Sequence, residues 1–420
     1  MTAPLLVDDT TMIKALSENW DYESTVSPGF DRPNATYETF PGTTQKVVNY
    51  KPASLYERFV FQFLRDKRDV MVFNVPFWAT LTLWPSFLYM FFVETESISP
   101  IHIALHLFVC WWQITAFHLA IHVSSHRKVF KHQILDFWIP VFTAPVYGHT
   151  LYTYFFHHIK MHHVSDNSPF DISSTLFYQR DSLIGFLHYF FRFYFCGAFD
   201  LSAYFIKHNQ VDRAIKFFIG EVGTLLILGY ITYNYNTMAM VWCFWVPLTA
   251  SRFGMMSGNW VQHTFLNPKD PLGGGLRNSI TIIESRYNLL NYNDGYHASH
   301  HLNAQRHWSE HPREFLKKRP EYLKTDAIVL KGTDYDDVFG LIMSGSLDKL
   351  AAKMVDIRNP AAPHPKSVAE RTAWLKERVK KFTWRDLERL YGVEFLNQKF
   401  GPSYVSAGLK SEGWTGKKVE

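Results

Sequence analysis

Cysteine is scarce: the 420 residues hold three, Cys110, Cys196 and Cys243, each inside an apolar segment. That excludes a disulfide framework, a zinc ribbon and a thiolate-held iron–sulfur cluster, and leaves the thiols as small hydrophobic side chains. Charge is also modest. Forty-three Lys and Arg against 38 Asp and Glu leave a net +5, which suits a membrane surface or an acidic partner and argues against nucleic acid. No internal repeat or low-complexity tract stands out. The first residues, Met-Thr-Ala-Pro-Leu-Leu-Val-Asp-Asp, have no basic n-region, so no cleavable signal peptide is expected.

Apolar and aromatic residues are abundant. The chain is 47% hydrophobic and 17% aromatic, with 36 Phe, 22 Tyr and 13 Trp. Mean hydropathy is nevertheless slightly negative, at −0.13, so a polar portion must offset the apolar one, as in a membrane protein with a large aqueous part. Four stretches approach the roughly 20 apolar residues that a spanning helix needs: residues 70–93, 101–123, 215–233 and 238–257. The third carries Glu221, a costly group in a span unless it faces protein. Residues 137–156, broken by Pro140, Pro145 and Gly148, and residues 182–206, with Arg192 and Asp200, read as buried or interfacial instead.

Charge placement sets an orientation. Glu94 and Glu96 separate the first two spans, and an uncharged Tyr-Asn-Tyr-Asn separates the last two. The other flanks are basic: Arg58, Arg65, Lys67 and Arg68, then Arg127, Lys128 and Lys131, then Arg213 and Lys216. The positive-inside rule then puts both termini and the central segment in the cytosol. Lys417 and Lys418, near the C-terminus, resemble an endoplasmic-reticulum retrieval address. The organisation expected is a polar arm over 1–50, a membrane domain over 51–310, and a soluble cytosolic tail over 311–420. Within the tail, residues 336–356 and 367–382 look amphipathic and helical.

Histidine is clustered at helical spacing: His122-x3-His126, His158-x3-His162-His163 and His297-x2-His300-His301, with His263 four residues after Asn259. Residues i and i+3 or i+4 share a helix face, so each cluster can aim two or three imidazoles at one point. These nine of the chain's 20 histidines suffice for two metal ions, all on the side assigned to the cytosol. A histidine-only set with no cysteine nearby favours iron that activates dioxygen over structural zinc. Asp166, Asp171 and Asp294 lie close enough in sequence to orient ligand imidazoles. His102, His106, His132, His149, His188 and His208 read as packed or interfacial residues, and His307 as structural.

These motifs resemble the membrane fatty acid desaturases of the histidine-box superfamily, whose pattern is HX3(4)H, HX2(3)HH and HX2(3)HH. His126-Arg127-Lys128-Val129-Phe130 and Gly295-Tyr296-His297 are similar to the surroundings of the first and third boxes in acyl-CoA desaturases. The resemblance spans residues 50–310. It implies an all-α integral membrane protein of about four transmembrane helices, with a cytosolic helical portion carrying a di-iron site. It further implies His122, His126, His158, His162, His163, His297, His300 and His301 as iron ligands, His263 as an additional ligand, and Asn259 as a contact to iron through water. Two readings compete locally. His118 with His122 is an alternative first box, though His122 with His126 is preferred, and His157 is an alternative to His158. Two non-haem ferrous irons and dioxygen are the implied cofactor and co-substrate, and an acyl chain on a membrane lipid or on coenzyme A is the implied substrate. No His-Pro-Gly-Gly motif is present, so a separate cytochrome b5-like or ferredoxin-like electron donor is implied. A hydroxylase, acetylenase or ketolase shares the boxes; a non-catalytic metal binder or transporter would instead line its spans with polar groups.

Overall fold

The computed structural model describes residues 35–359 and 363–413, which are mostly helical. Lys417 and Lys418 lie outside the described residues. So does most of the expected N-terminal arm, but residues 35–50 are not a loose arm. Thr36–Thr39 (β1) and Lys46–Asn49 (β2) form an antiparallel hairpin, because Val47 and Val48 are buried and hold it to the body of the protein.

Three helices are long and apolar enough to cross a membrane: α1, Lys67–Phe92; α2, Pro100–His126; and α4, Val211–Asn234. α1 tolerates Pro76 within it and is interrupted at Thr82, whose φ of −122° and ψ of −64° leave the helical region. Pro85 supplies a cause for such a break, since it has no N–H to give the Leu81 carbonyl. α2 starts on Pro100, where the missing N–H costs nothing, and runs unbroken to His126. The stretch expected as a fourth span is helical, ending in α5, Val246–Gln262. It is not among the three apolar spans, and it buries Ser251, Arg252 and Ser257 among the other helices. Residues 137–147 coil into short 3-10 and π turns that stop at Gly148, and a further π turn begins at Phe155. A Cβ there would lie 2.0 Å from the Leu248 backbone nitrogen, so this glycine lets the segment lie against α5.

Residues 183–207 form one helix, α3 (Leu183–Lys207). Arg192 and Asp200 pair with each other along it, at 3.0 Å. Glu221 of α4 faces inward, as a carboxylate in a span must: it is 3% exposed. It is bonded to Arg252 of α5 and to the hydroxyls of Thr150 and Thr153.

The segment after residue 310 is knitted into the rest of the chain. Ile280–Ile283 (β3) pairs in parallel with Ile328–Lys331 (β4), and a core of Val261, Phe265, Ile280, Ile282, Val338, Ile342 and Leu375 spans both sides of that point. The amphipathic pattern over 336–356 resolves into two helices, Tyr335–Met343 and Leu347–Ala352, separated at Gly345, whose φ is 71°. The pattern over 367–382 forms Val368–Arg378, opened by a Ser367–Glu370 capping box. Buried Arg180 ties this tail down, donating to the carbonyls of Thr264, Thr175 and Arg378.

Candidate metal centre

The nine boxed histidines converge. His122 and His126 share one face of the last turns of α2, with ring centroids 5.0 Å apart. The second box lies on a π turn, Phe155–His162. A π turn brings residue i over i+5 rather than i+4, so Nε2 of His158 and Nε2 of His163 come within 3.0 Å. The helical-face argument pairs His158 with His162; the π turn separates them and sends His162 to the other side of the site. The third box opens at Asn293, a left-handed residue with φ of 54°, and forms the short helix α6, His297–Leu302.

Two groups of four result. His122, His126, His158 and His300 are one, and His162, His263, His297 and His301 the other; the nitrogens in each group lie within 4.8 Å of one another. His163 stands beside the first group, its Nε2 3.0 Å from Nε2 of His158 and 3.0 Å from that of His300. All nine are thus in the site. His118 is not. It packs near His149, with centroids 5.3 Å apart, outside the group that holds His122 and His126. His157 is also outside both groups, its ring edge-on to Phe193 at 5.0 Å.

The nitrogens fit a cation better than they fit each other. Nε2 atoms of His122, His300, His163 and His158 form a run with successive separations of 3.0, 3.0 and 3.0 Å. Each ring nitrogen carries one hydrogen or one lone pair, so such a run cannot make three hydrogen bonds. In the second group Nε2 of His297 lies 3.0 Å from that of His301 and 3.4 Å from that of His263. Nitrogens bound about 2.1 Å from one metal lie roughly 3.0 to 3.4 Å apart, which is this spacing. Nε2 of His126 is buried with no hydrogen-bond partner among the described residues. Burial holds His158, His263, His297 and His300 well below the ordinary imidazole range, reinforced by their histidine neighbours. The neutral ring this favours is the form that binds metal.

Two of the three aspartates reach ligand histidines. Asp171 Oδ2 accepts from Nδ1 of His162 at 2.7 Å, and Asp166 Oδ1 lies 3.0 Å from Nδ1 of His301. Burial alone would lower His162, but Asp171 outweighs it and lifts the ring above its ordinary value. Asp294 touches no boxed histidine. Its Oδ2 accepts from Gln262 at 3.2 Å and Tyr287 at 3.3 Å, and burial pushes its carboxyl up to about 7. Asn259 donates to the Ser173 carbonyl at 2.9 Å and to the Tyr189 hydroxyl at 2.7 Å, and it lines a cavity of about 220 Å³ together with His122 and His158.

Sequence spacing gave no hint of His311. It is buried, bonded to Ser299 of α6 at 3.1 Å, and its ring centre is 5.8 Å from that of His300. His307 is structural: its Nε2 is 3.0 Å from Asp69 Oδ1, which also accepts from Trp308 at 3.0 Å.

The result is a buried, all-imidazole double site that could hold two metal ions, at the end of a helix long and apolar enough to cross a membrane. Residues 97–330, more than half of the chain, match the family model described as fatty acid desaturase, and the chain belongs to that family. No curated protein and no solved structure matches it.

Proposed function

We propose that the protein is a di-iron, dioxygen-dependent desaturase that introduces a double bond into a fatty acyl chain. The observation that carries this reading is the division of the boxed histidines into two adjacent four-nitrogen groups. Hydrogen cannot be removed from an unactivated methylene by side chains alone, because its acidity is far outside the range to which proteins tune a base. When bound, the iron pair would supply dioxygen activation and hydrogen abstraction.

The chain's own residues do the rest. His122, His126, His158 and His300 would hold one ion, with His163 beside them, and His162, His263, His297 and His301 the other. Asp166 and Asp171 keep a hydrogen on Nδ1 of His301 and His162, which turns Nε2 of each ring toward the metal. Asn259 stands by the cavity at His122 and His158, a position suited to holding a water next to the first ion. That cavity, walled by Trp111, Phe193 and Met256, would take the acyl chain and keep bulk water away. Asp294 lines the same cavity and, with its raised affinity for a proton, can carry one there at neutral pH.

The reading includes a separate cytochrome b5-like or ferredoxin-like donor, an endoplasmic-reticulum membrane, a fourth span over 238–257, and cytosolic termini with the boxes on the cytosolic face. Lipid profiling by mass spectrometry after expression in a desaturase-deficient host tests it. A new acyl species lighter by two hydrogens supports desaturation, and one heavier by an oxygen supports hydroxylation instead. Purified protein that carries zinc and no iron sinks both.

A further inference from the structure

Three cavities lie in a row. The first, about 450 Å³, is walled only by apolar side chains, among them Phe59, Phe73, Phe77 and Trp138. The second, about 690 Å³, shares Phe137 and Val141 with the first and reaches His126. It is lined by Arg65, Arg127, Lys128, Lys160, Arg213 and Lys216, against the two carboxylates of Asp136 and Asp212. The third is the cavity at His122 and His158, separated from the second by Tyr154, which lines both.

We propose that the substrate is a two-chain, phosphate-bearing membrane lipid. Its phosphate sits on the basic cavity, one acyl chain lies in the apolar groove, and the other passes Tyr154 toward the boxed histidines. The fate of the second chain rests on the desaturase reading; the binding does not.

The charge argument is specific. Arg127 and Lys128 are committed to Asp66 and Asp136, at 3.2 and 2.7 Å. Lys160 and Arg213 meet no carboxylate among the described residues: Lys160 lies 5.0 Å over the Phe155 ring, and Arg213 bonds Gln210 at 2.7 Å. Lys216 and Asp212 are both exposed and 3.9 Å apart, too loose a pair to cancel the cation. Arg213 and Lys216 stand at the basic end of α4, the level at which lipid phosphates meet a spanning helix. Each such cation contributes about fivefold to affinity for an anionic lipid.

The groove decides between one chain and two. An apolar groove facing acyl chains is unremarkable alone. Here it adjoins the cationic cavity along Phe137 and Val141, so a phosphate in one places a chain attached to it beside the other. A single-chain thioester that sends its chain to the metal centre leaves the groove unfilled. A phosphate-free diacylglycerol leaves Lys160 and Arg213 unmatched.

The test is direct binding to the full-length protein in neutral detergent, with no electron donor present. Four fluorescent probes are compared: dioleoylphosphatidylglycerol, its one-chain lyso form, oleoyl-CoA and dioleoylglycerol. The two-chain anionic lipid is expected to bind about tenfold tighter than each of the others. Arg213→Glu with Lys216→Glu should erase its advantage over dioleoylglycerol. Val141→Trp, at an exposed position on the junction, should erase its advantage over the lyso form while leaving lyso binding intact. Equal binding of oleoyl-CoA or of the lyso lipid by the wild-type protein overturns the proposal, as does a charge-reversed variant with unchanged selectivity. Bound metal, measured in parallel, shows that each variant has folded, and the wild-type comparison decides if Val141→Trp does not. A failure here leaves the desaturase reading standing, whereas absence of a desaturated product would leave the lipid site standing.

Discussion

Asp171 Oδ2 lies 2.7 Å from Nδ1 of His162, and this contact makes the two histidine groups unequal. Asp171 is itself fixed, its other oxygen accepting from the Ser173 backbone N–H at 2.8 Å and the Ser173 hydroxyl at 2.7 Å. His301, in the same group, has Asp166 on its Nδ1. Among the described residues no carboxylate bonds His122, His126, His158 or His300. One group is therefore braced by two anions, and the other is set by packing alone.

Asp171→Asn keeps the shape and removes the charge. It should weaken metal binding in the second group by about 10- to 100-fold and spare the first. Chelator titration followed by elemental analysis should then show one ion leaving early and one staying. Loss of both ions at the wild-type chelator concentration would show that Asp171 does not brace this group.

His118 and His122 lie one turn apart on α2, yet only His122 is in the site. His122→Ala should lower bound metal, while His118→Ala should leave it at the wild-type level. Elemental analysis of the two purified variants decides this. Equal loss in both would mean that the first box is shifted by a turn.

Much of this was legible in the sequence, and the exceptions have physical causes. Helical spacing exposed the nine histidines, while the preference for His122 with His126 over His118 came from their place at the end of the span and from the His126-Arg127 segment that follows. The spacing preferred His158 to His157 but did not reveal that His158 and His162 enter different groups, because a π turn leaves no periodic mark in residue type. Asp166 and Asp171 were found by proximity in sequence; Asp294, equally close, turns to Tyr287 and Gln262 instead, since the left-handed Asn293 redirects the chain just before it. His311 gave no signal, as its approach to His300 depends on how the chain folds back after α6. The hairpin over 36–49 was missed because its strands are four residues each.

Asp294 ties stability to pH. Burial raises its carboxyl from 3.8 to about 7, so between these values the folded protein binds a proton that the unfolded chain releases. Its contribution is fully present below about 4 and is lost as pH rises through 7. Thermal unfolding followed from pH 5 to 8 should show a falling limb in the wild type that Asp294→Asn flattens. An unchanged limb in the variant would assign the slope to other groups.

Glu221 and Arg252 make the sharpest test of packing inside the helical body. Both are nearly inaccessible, at 3% and 7% exposure, and Glu221 also accepts from Thr150 and Thr153. Neither charge has solvent to retreat to. Glu221→Gln keeps the volume and strands the guanidinium, so it should cost about 3–5 kcal/mol. Replacing both, as Glu221→Gln with Arg252→Met, removes the stranded charge and should recover most of that loss, since a buried pair is often worth little net. Thermal unfolding in detergent of the two variants and the wild type reads the difference. The ordering expected is wild type at or above the double variant, and both well above Glu221→Gln. A single variant as stable as the wild type would mean that water reaches Arg252 between the helices.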